Sequence, residues 1–425
     1  MLEINFVVEN PDIVKADLKK RGMNDKIGWV DELIQLNKEQ KSLKTELDNL
    51  RHKRNELSEN INKSKREGKD ISELVKEASQ LPKKIKQLEQ EYKERIDKIR
   101  FYLMRIPNIL DESVPVGKDD SENVEIKRVG KPKEFDFELK PHGVLAEELG
   151  IADFKRAAKV VGSGFVYLKN ELAMLDMALQ RFAIDYLMSK GFTLVEPPFM
   201  LGRKAYEGVT SLDDFENVMY KIEGEDKYMI ATAEHPLVSM FMNETINEED
   251  LPIKLVGISP CFRREIGSHG VDTKGLFRMH QFNKVEQVVF STPEQSNKIF
   301  DEIQKNTEDM FAKLGIPYRV VNICTGDMGI VASKKHDIEA WFPREKEYKE
   351  VASCSNCKSY QAVRLNIKMK RKDGTKEYLH TLNNTGIATS RAMRAILENY
   401  QNRDGSIDIP EVLWPYMNGI KRIKR

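Results

Sequence analysis

Between Gly28 and Ile106 the apolar residues recur with heptad spacing. Leu33, Leu36, Gln40, Leu43, Leu47, Leu50, Arg54, Leu57 and Ile61 alternate steps of three and four, the a/d seam of a coiled coil. Ile71, Leu74, Ala78, Leu81, Ile85, Leu88 and Tyr92 form a second series that runs on through Ile96, Ile99 and Leu103. Between them Gly68 is placed to end one helix, and Asp70 or Ser72 to cap the next. Two helices of some 35 residues joined so closely must pack antiparallel, giving a hairpin roughly 50 Å long at 1.5 Å per residue. Such a rod is too thin to be a globular domain and is expected to project as an arm.

The whole chain has 425 residues, and its 69 Lys and Arg against 68 Asp and Glu leave a formal charge of +1. At about 150 residues per domain, two or three domains are expected, and the near-neutral total excludes a uniformly basic nucleic-acid binder. The arm departs from that average, with 19 basic against 15 acidic residues between Gly28 and Ile106. Arg51, Lys53, Arg54, Lys63, Lys65, Arg66 and Lys69 gather on its distal half, and Lys83, Lys84 and Lys86 return past them. Such a stripe suits a phosphate backbone; it equally suits a solvated coiled-coil face with interhelical pairs.

The first residues lack the charged and apolar regions of a secretory signal, and no apolar run reaches the ~18 residues of a membrane span. Cys261, Cys324, Cys354 and Cys357 are too few for a disulfide framework in so long a chain, so a reducing cytoplasm is expected. Cys354 and Cys357 alone supply half a zinc site, and no zinc is expected.

Residues 1–107 are assigned to the arm, 108–145 to a linker and the start of a second domain, and 146–425 to that domain. Strand-like runs at Phe192–Val195, Tyr228–Ala231, Ile253–Ile258, Lys284–Phe290 and Tyr318–Ile323 are interspersed with helices at Leu172–Lys190, Pro293–Leu314 and Thr389–Tyr400. Without regular βαβ alternation this reads as α+β on an antiparallel sheet. The segment from Pro260 to Glu286 reads as a hairpin whose first strand carries Arg263 and Glu265 on one face, and whose second carries Arg278, Phe282 and Glu286. A guanidinium, an adenine-amino acceptor and an aromatic plane are what bound ATP requires. The same residues also read as a hairpin laced with cross-strand ion pairs.

Pro260-Cys-Phe-Arg-Arg-Glu265 through Glu286 resembles motif 2 of the class II aminoacyl-tRNA synthetases, in the form typical of seryl-tRNA synthetases. Gly191-Phe-Thr-Leu-Val-Glu-Pro-Pro198 resembles their dimer-forming motif 1, and Asn384-Thr-Gly-Ile-Ala-Thr-Ser-Arg391 onward their motif 3. Thr232-Ala-Glu-His-Pro236, Cys324-Thr-Gly-Asp-Met-Gly329 and Glu350-Val-Ala-Ser-Cys-Ser-Asn356 follow the same family pattern.

The resemblance implies a homodimeric, ATP- and magnesium-dependent serine–tRNA ligase that also serves selenocysteine tRNA. It puts Arg263 at the α-phosphate and substrate carboxylate, Arg391 at the γ-phosphate, Glu265 at the adenine amino group and Phe282 under the base. Arg264, Met279, His280, Gln281, Val351 and Ala352 complete the implied ATP set. Glu350 and Ser353 are the implied magnesium ligands. Thr232, Ala233, Glu234, Arg263, Glu286, Asn383 and Thr385 are the implied serine site. The arm, through Arg51, Lys53, Arg54, Lys63, Lys65 and Arg66, is the implied tRNA contact.

Overall fold

The computed structural model describes residues 1–211, 218–265 and 275–425. It divides into two compact units, Met1–Pro107 and Asn108–Arg425.

The first unit opens with two helices that the heptad pattern does not announce, α1 (Ile4–Glu9) and α2 (Pro11–Lys20), and continues into α3 (Ile27–Arg66) and α4 (Ser72–Leu103). At 1.5 Å per residue the 40 residues of α3 span about 60 Å. Leu47, Leu57, Leu81, Ile85 and Leu88 are buried between α3 and α4, flanked by Leu43, Leu50, Leu74, Ala78 and Tyr92; every one is a seam position of the two heptad series. Gly68 takes φ +68° in the turn, a conformation in which a Cβ would be strained. Asp70 accepts the Ser72 N–H at 2.9 Å. Helix α4 passes through Pro82 without ending there, although an interior proline removes one helical hydrogen bond. The seam residues on either side of Pro82 bury enough apolar surface to hold the helix together.

The second unit is built on an eight-stranded sheet. Its strands in chain order are β1 (Val124–Val129), β2 (Thr193–Val195), β3 (Ile253–Phe262), β4 (Gln281–Ser291), β5 (Tyr318–Asn322), β6 (Lys334–Phe342), β7 (Glu347–Asn356) and β8 (His380–Ala388). Across the sheet they lie β1-β5-β6-β7-β8-β4-β3-β2. All neighbours are antiparallel except β2, which runs parallel to β3. The stretch read as linker thus contributes an edge strand, β1. The basic C-terminus pairs Ile423 with Ile407, and Ile423 is buried.

One face of the sheet is apolar. Helices α5 (Asn170–Ser189), α6 (Ser296–Lys313) and α7 (Thr389–Asn399) bring Leu172, Leu179, Phe182, Ile299, Ile303, Met310, Met393 and Ile396 against Val285, Val289, Ile338 and Ala352. This is the large core. Gly191, at φ +86°, lets the chain turn out of α5.

The other face is polar at its centre, and strand alternation says which side chains it carries. Cross-strand pairing aligns Gly257 with Glu286, Ser259 with Lys284, Cys261 with Phe282, Thr385 with Glu286, Ser355 with Asn383 and Ser353 with Asp337. Paired residues share a face. Two bulges complete the set. Ile338 and Glu339 pair with Ala352 and Glu350, so Val351 has no partner in the ladder. The extra residue brings Glu350 onto the face of Ser353, which three-residue spacing alone would forbid. Gly386 is the corresponding extra residue in β8.

Candidate active site

Arg263 is the first residue past β3. Its backbone N–H donates to the His280 carbonyl at 2.9 Å, its Nε donates to the Ala231 carbonyl at 3.4 Å, and its guanidinium lies 5.3 Å from the Phe282 ring centre. Arginine and aromatic plane are therefore adjacent, as motif 2 requires. Glu265 departs from the expectation. The ladder stops at Phe262 and Glu265 has φ +46°, so strand alternation no longer applies and the two residues are not neighbours on a strand face. The Glu265 carboxylate lies 3.9 Å from Arg278, which precedes β4 rather than belonging to it. The glycine-containing loop at residues 266–274 lies outside the described residues.

The other motif 2 positions separate. Met279 is buried in the large core, and the His280 ring stacks on Phe165 at 5.1 Å and 8° while Nδ1 meets the Tyr220 hydroxyl at 2.7 Å. Gln281 is exposed and, one residue from Phe282, turns to the opposite face. Arg264 donates its backbone N–H to the Val218 carbonyl at 2.8 Å. Of the Met279–Phe282 run, Phe282 has its ring beside the Arg263 guanidinium.

On the polar face two carboxylates meet. Glu286 is buried, 2.6 Å from the Lys284 ammonium, and the Thr385 hydroxyl donates to it at 3.4 Å. Glu234 lies at the start of a short helix, Glu234–Ser239. Its Oε1 accepts from Gln361 at 3.0 Å and from Asn383 at 3.1 Å, and Thr232 Oγ1 accepts the Glu234 N–H at 3.1 Å. Burial, then the charge of Glu286, push the Glu234 carboxyl up to about 7. Ala233 packs against Gly257, where a Cβ would come within 2.9 Å of Ala233 and 2.6 Å of Leu237. That glycine lets the helix lie directly on the strand. All seven serine-site candidates converge here, and the pocket offers a charged centre ringed by hydroxyl and amide groups.

Arg391, on the first turn of α7, reaches the second cluster. Its Nη1 lies 3.0 Å from both the carbonyl and the carboxylate of Glu350. The Arg391 charge holds Glu350 well below the usual carboxylate range, opposed by desolvation. Glu350 still keeps 43% of its side chain exposed, so solvent screens part of that pull. Ser353 sits on the same face, opposite Asp337. Asp337 is buried with one oxygen bearing no hydrogen bond and the other 3.3 Å from Lys335, and burial raises its carboxyl. This all-oxygen set fits a hard cation that keeps other ligands on its open side. Among the described residues no group of three or more His, Cys, Asp or Glu is placed to hold a metal by itself. Val351 and Ala352 are core residues.

Cys354 and Cys357 do not converge. Cys354 contacts the Phe300 carbonyl on the apolar side, whereas Cys357 lies 3.8 Å from Asn383 Nδ2 at the pocket, and burial pushes both thiols up.

Four residues of the site are not among the sequence candidates. Lys284 was legible, two residues before Glu286 on the same strand face. Lys335 and Asp337 belong to β6, which was not delineated, and Gln361 arrives from a separate short helix, Tyr360–Leu365, with no local signal.

The six arm residues divide. Arg51 pairs with Glu89 at 2.7 Å and Lys53 with Glu77 at 2.5 Å across the hairpin, and Arg54 meets Asn55 at 3.4 Å. Among the described residues, Lys63, Lys65 and Arg66, in the last turn of α3, make no ion pair.

Residues 1–110 match the seryl-tRNA synthetase N-terminal domain, and residues 218–400 the class II tRNA synthetase core domain of the G, H, P, S and T enzymes. A serine–tRNA ligase of Methanocella arvoryzae is 60% identical over 423 residues, covering 99% of this chain and 100% of its own. The crystal structure of Pyrococcus horikoshii seryl-tRNA synthetase complexed with ATP superposes with a TM-score of 0.92 at 50% identity, covering 100% of this chain and 99% of that one. The cytoplasmic serine–tRNA ligase of Naegleria fowleri, in complex with AMP, gives 0.87 at 36% identity, with coverage of 100% and 99%. With an arm, a polar sheet face and relatives matched from end to end, the chain belongs to the seryl-tRNA synthetase family, the class II serine–tRNA ligases.

Proposed function

We infer that Arg263, Phe282, Glu350, Ser353 and Arg391 hold magnesium-bound ATP, and that Thr232, Glu234, Glu286, Asn383 and Thr385 hold serine. The serine carboxylate then attacks the α-phosphorus and expels pyrophosphate. A ribose hydroxyl of the tRNA terminal adenosine next attacks the seryl carbonyl and releases AMP. No side chain supplies covalent chemistry; the work is positioning and charge stabilisation. Arg263 meets charge growing on the α-phosphate, and Arg391 meets the leaving pyrophosphate. Glu350 and Ser353 are the magnesium ligands, and the cation supplies charge neutralisation on phosphate oxygens when bound. Glu286 receives the ammonium, while Thr385 and Asn383 face the hydroxyl. An amino acid lacking that hydroxyl would leave buried partners unpaired.

The observation that carries this reading is the polar sheet face, where guanidinium and aromatic plane, carboxylate pocket and magnesium set lie on adjacent strands. Serine-dependent exchange between pyrophosphate and ATP tests it. Active protein with magnesium that exchanges equally well with threonine, glycine or alanine would overturn the serine assignment.

The arm contacts serine tRNA through Lys63, Lys65 and Arg66 near its tip, and selenocysteine tRNA is a second substrate. A homodimer is supported by exposed apolar side chains around motif 1: Met177 is 68% exposed, Met200 47% and Leu194 38%. Sedimentation distinguishes dimer from monomer. A cytoplasmic location agrees with four buried free cysteines, and no helix among the described residues is long and apolar enough to cross a membrane.

A further inference from the structure

Arg391 does not aim its guanidinium alone. The Phe277 ring centre lies 5.2 Å from its guanidinium carbon, and the same ring is 4.7 Å from that of Arg394. Phe277 is immobilised from both sides. Its ring meets Phe342 edge-on at 5.6 Å and 85°. Its chain neighbour Leu276 donates its N–H to His142 Nε2 at 2.9 Å, so that nitrogen is an acceptor and the proton sits on Nδ1. Nδ1 in turn meets Glu398 Oε1 at 3.2 Å.

Arg394 is fully buried, bonded through Nε to Glu398 at 2.9 Å and through Nη2 to both oxygens of Glu345 at 2.5 Å. A buried arginine with two carboxylate partners has little freedom. It therefore makes a fixed cation against which the aromatic ring is held. Among the described residues, Arg391, one turn earlier on α7, has Glu350 as its carboxylate partner.

We propose that Phe277 is a positioning residue for Arg391. Its ring, held by Arg394, is the surface on which the Arg391 guanidinium rests, so that ATP meets an arginine already turned toward the triphosphate. The inference rests on the assignment of Arg391 to the phosphates. It adds a residue outside the implied ATP set, one that acts through Arg391.

Pyrophosphate–ATP exchange by the full-length protein tests it, with 3,4,5-trifluorophenylalanine at 277. That side chain keeps the ring's shape while weakening the attraction of its face for a cation, so folding is preserved. Phe277→Leu is the second variant and Arg391→Ala the reference. The expected result is a rise of about three- to tenfold in KM for both ATP and pyrophosphate in the two 277 variants, with KM for serine changing less than about twofold. Unchanged KM values for ATP and pyrophosphate, or an equal rise for serine, would overturn the proposal while leaving the Arg391 assignment intact. An Arg391→Ala protein with normal KM for ATP and pyrophosphate would overturn both.

Discussion

The arm and the pocket are both charged, and they use charge in opposite ways. On the arm the ion pairs are exposed, as in Lys53 with Glu77 at 51% and 45% exposure, where water and salt screen them and side-chain entropy offsets most of the gain. In the pocket Lys284 and Glu286 are 8% and 2% exposed. There each charge has given up its water and depends on its partner. On the function proposed above, the exposed arm leaves charges available to a large polyanion, and the pocket prearranges charges for one small zwitterion.

The sharpest break of that contrast is Arg263→Ala. Exchange is expected to fall about 100- to 1,000-fold, as when one preorganised donor is removed from a polar site, with tRNA affinity unchanged. An equal loss of tRNA binding would show that the two regions do not act separately.

The reverse experiment replaces Lys63, Lys65 and Arg66 together by alanine. Exchange should persist, while tRNA binding weakens and its log–log dependence on salt becomes shallower by about 0.7–0.9 for each phosphate no longer neutralised. A filter-binding titration across salt concentrations measures the slope, and an unchanged slope would move the RNA-binding surface elsewhere.

Glu234→Gln probes the desolvated side. The Glu234 carboxyl is raised from 4.5 to about 7, so the folded state holds that proton more tightly than the unfolded one. Stability is therefore lost as pH rises from about 4.5 to about 7, and the cost is complete above 7. The variant should melt higher than the parent at pH 8 and converge with it below pH 4.5, by calorimetry. Parallel melting curves across that range would show that Glu234 is not a strained buried acid.

The smallest effect is expected from Lys53→Ala. An exposed pair of this kind should shift the melting temperature by no more than about 2 °C. A larger drop would mean that the arm relies on its ion pairs as the pocket does.

What the sequence disclosed follows the same division. The arm is local: Leu47, Leu57, Leu81, Ile85 and Leu88 meet because heptad spacing puts them on one stripe, and the whole seam was visible in one dimension. The alternation of β4 was also legible, since Phe282 and Glu286 lie on one strand face. Glu265 was misplaced because nothing local announces that the ladder stops at Phe262. Strands β6, β7 and β8 went undelineated, since their alternation puts Lys335, Asp337, Ser353, Asn383 and Thr385 where a half-exposed strand would show ordinary polar residues. The Cys324-Thr-Gly-Asp run, part of the family pattern, has a structural task that its sequence does not announce. Thr325 donates to the Gly117 carbonyl at 3.0 Å and Asp327 accepts from Asn123 at 2.9 Å. It fastens the segment leading into β1.

The unpaired Val351 makes the placing of Glu350 beside Ser353 depend on ladder geometry as well as on composition. Deleting that one buried valine would close the bulge and leave Glu350 and Ser353 two residues apart, still on one face by ordinary alternation, whereas drawing Val351 into a regular ladder would carry one of the two through the sheet into the hydrocarbon side. Substitutions at Val351 that preserve its volume should be tolerated. The bulge, rather than a fixed number of residues, is what keeps Glu350 and Ser353 together, so this strand can lose the valine but cannot straighten around it.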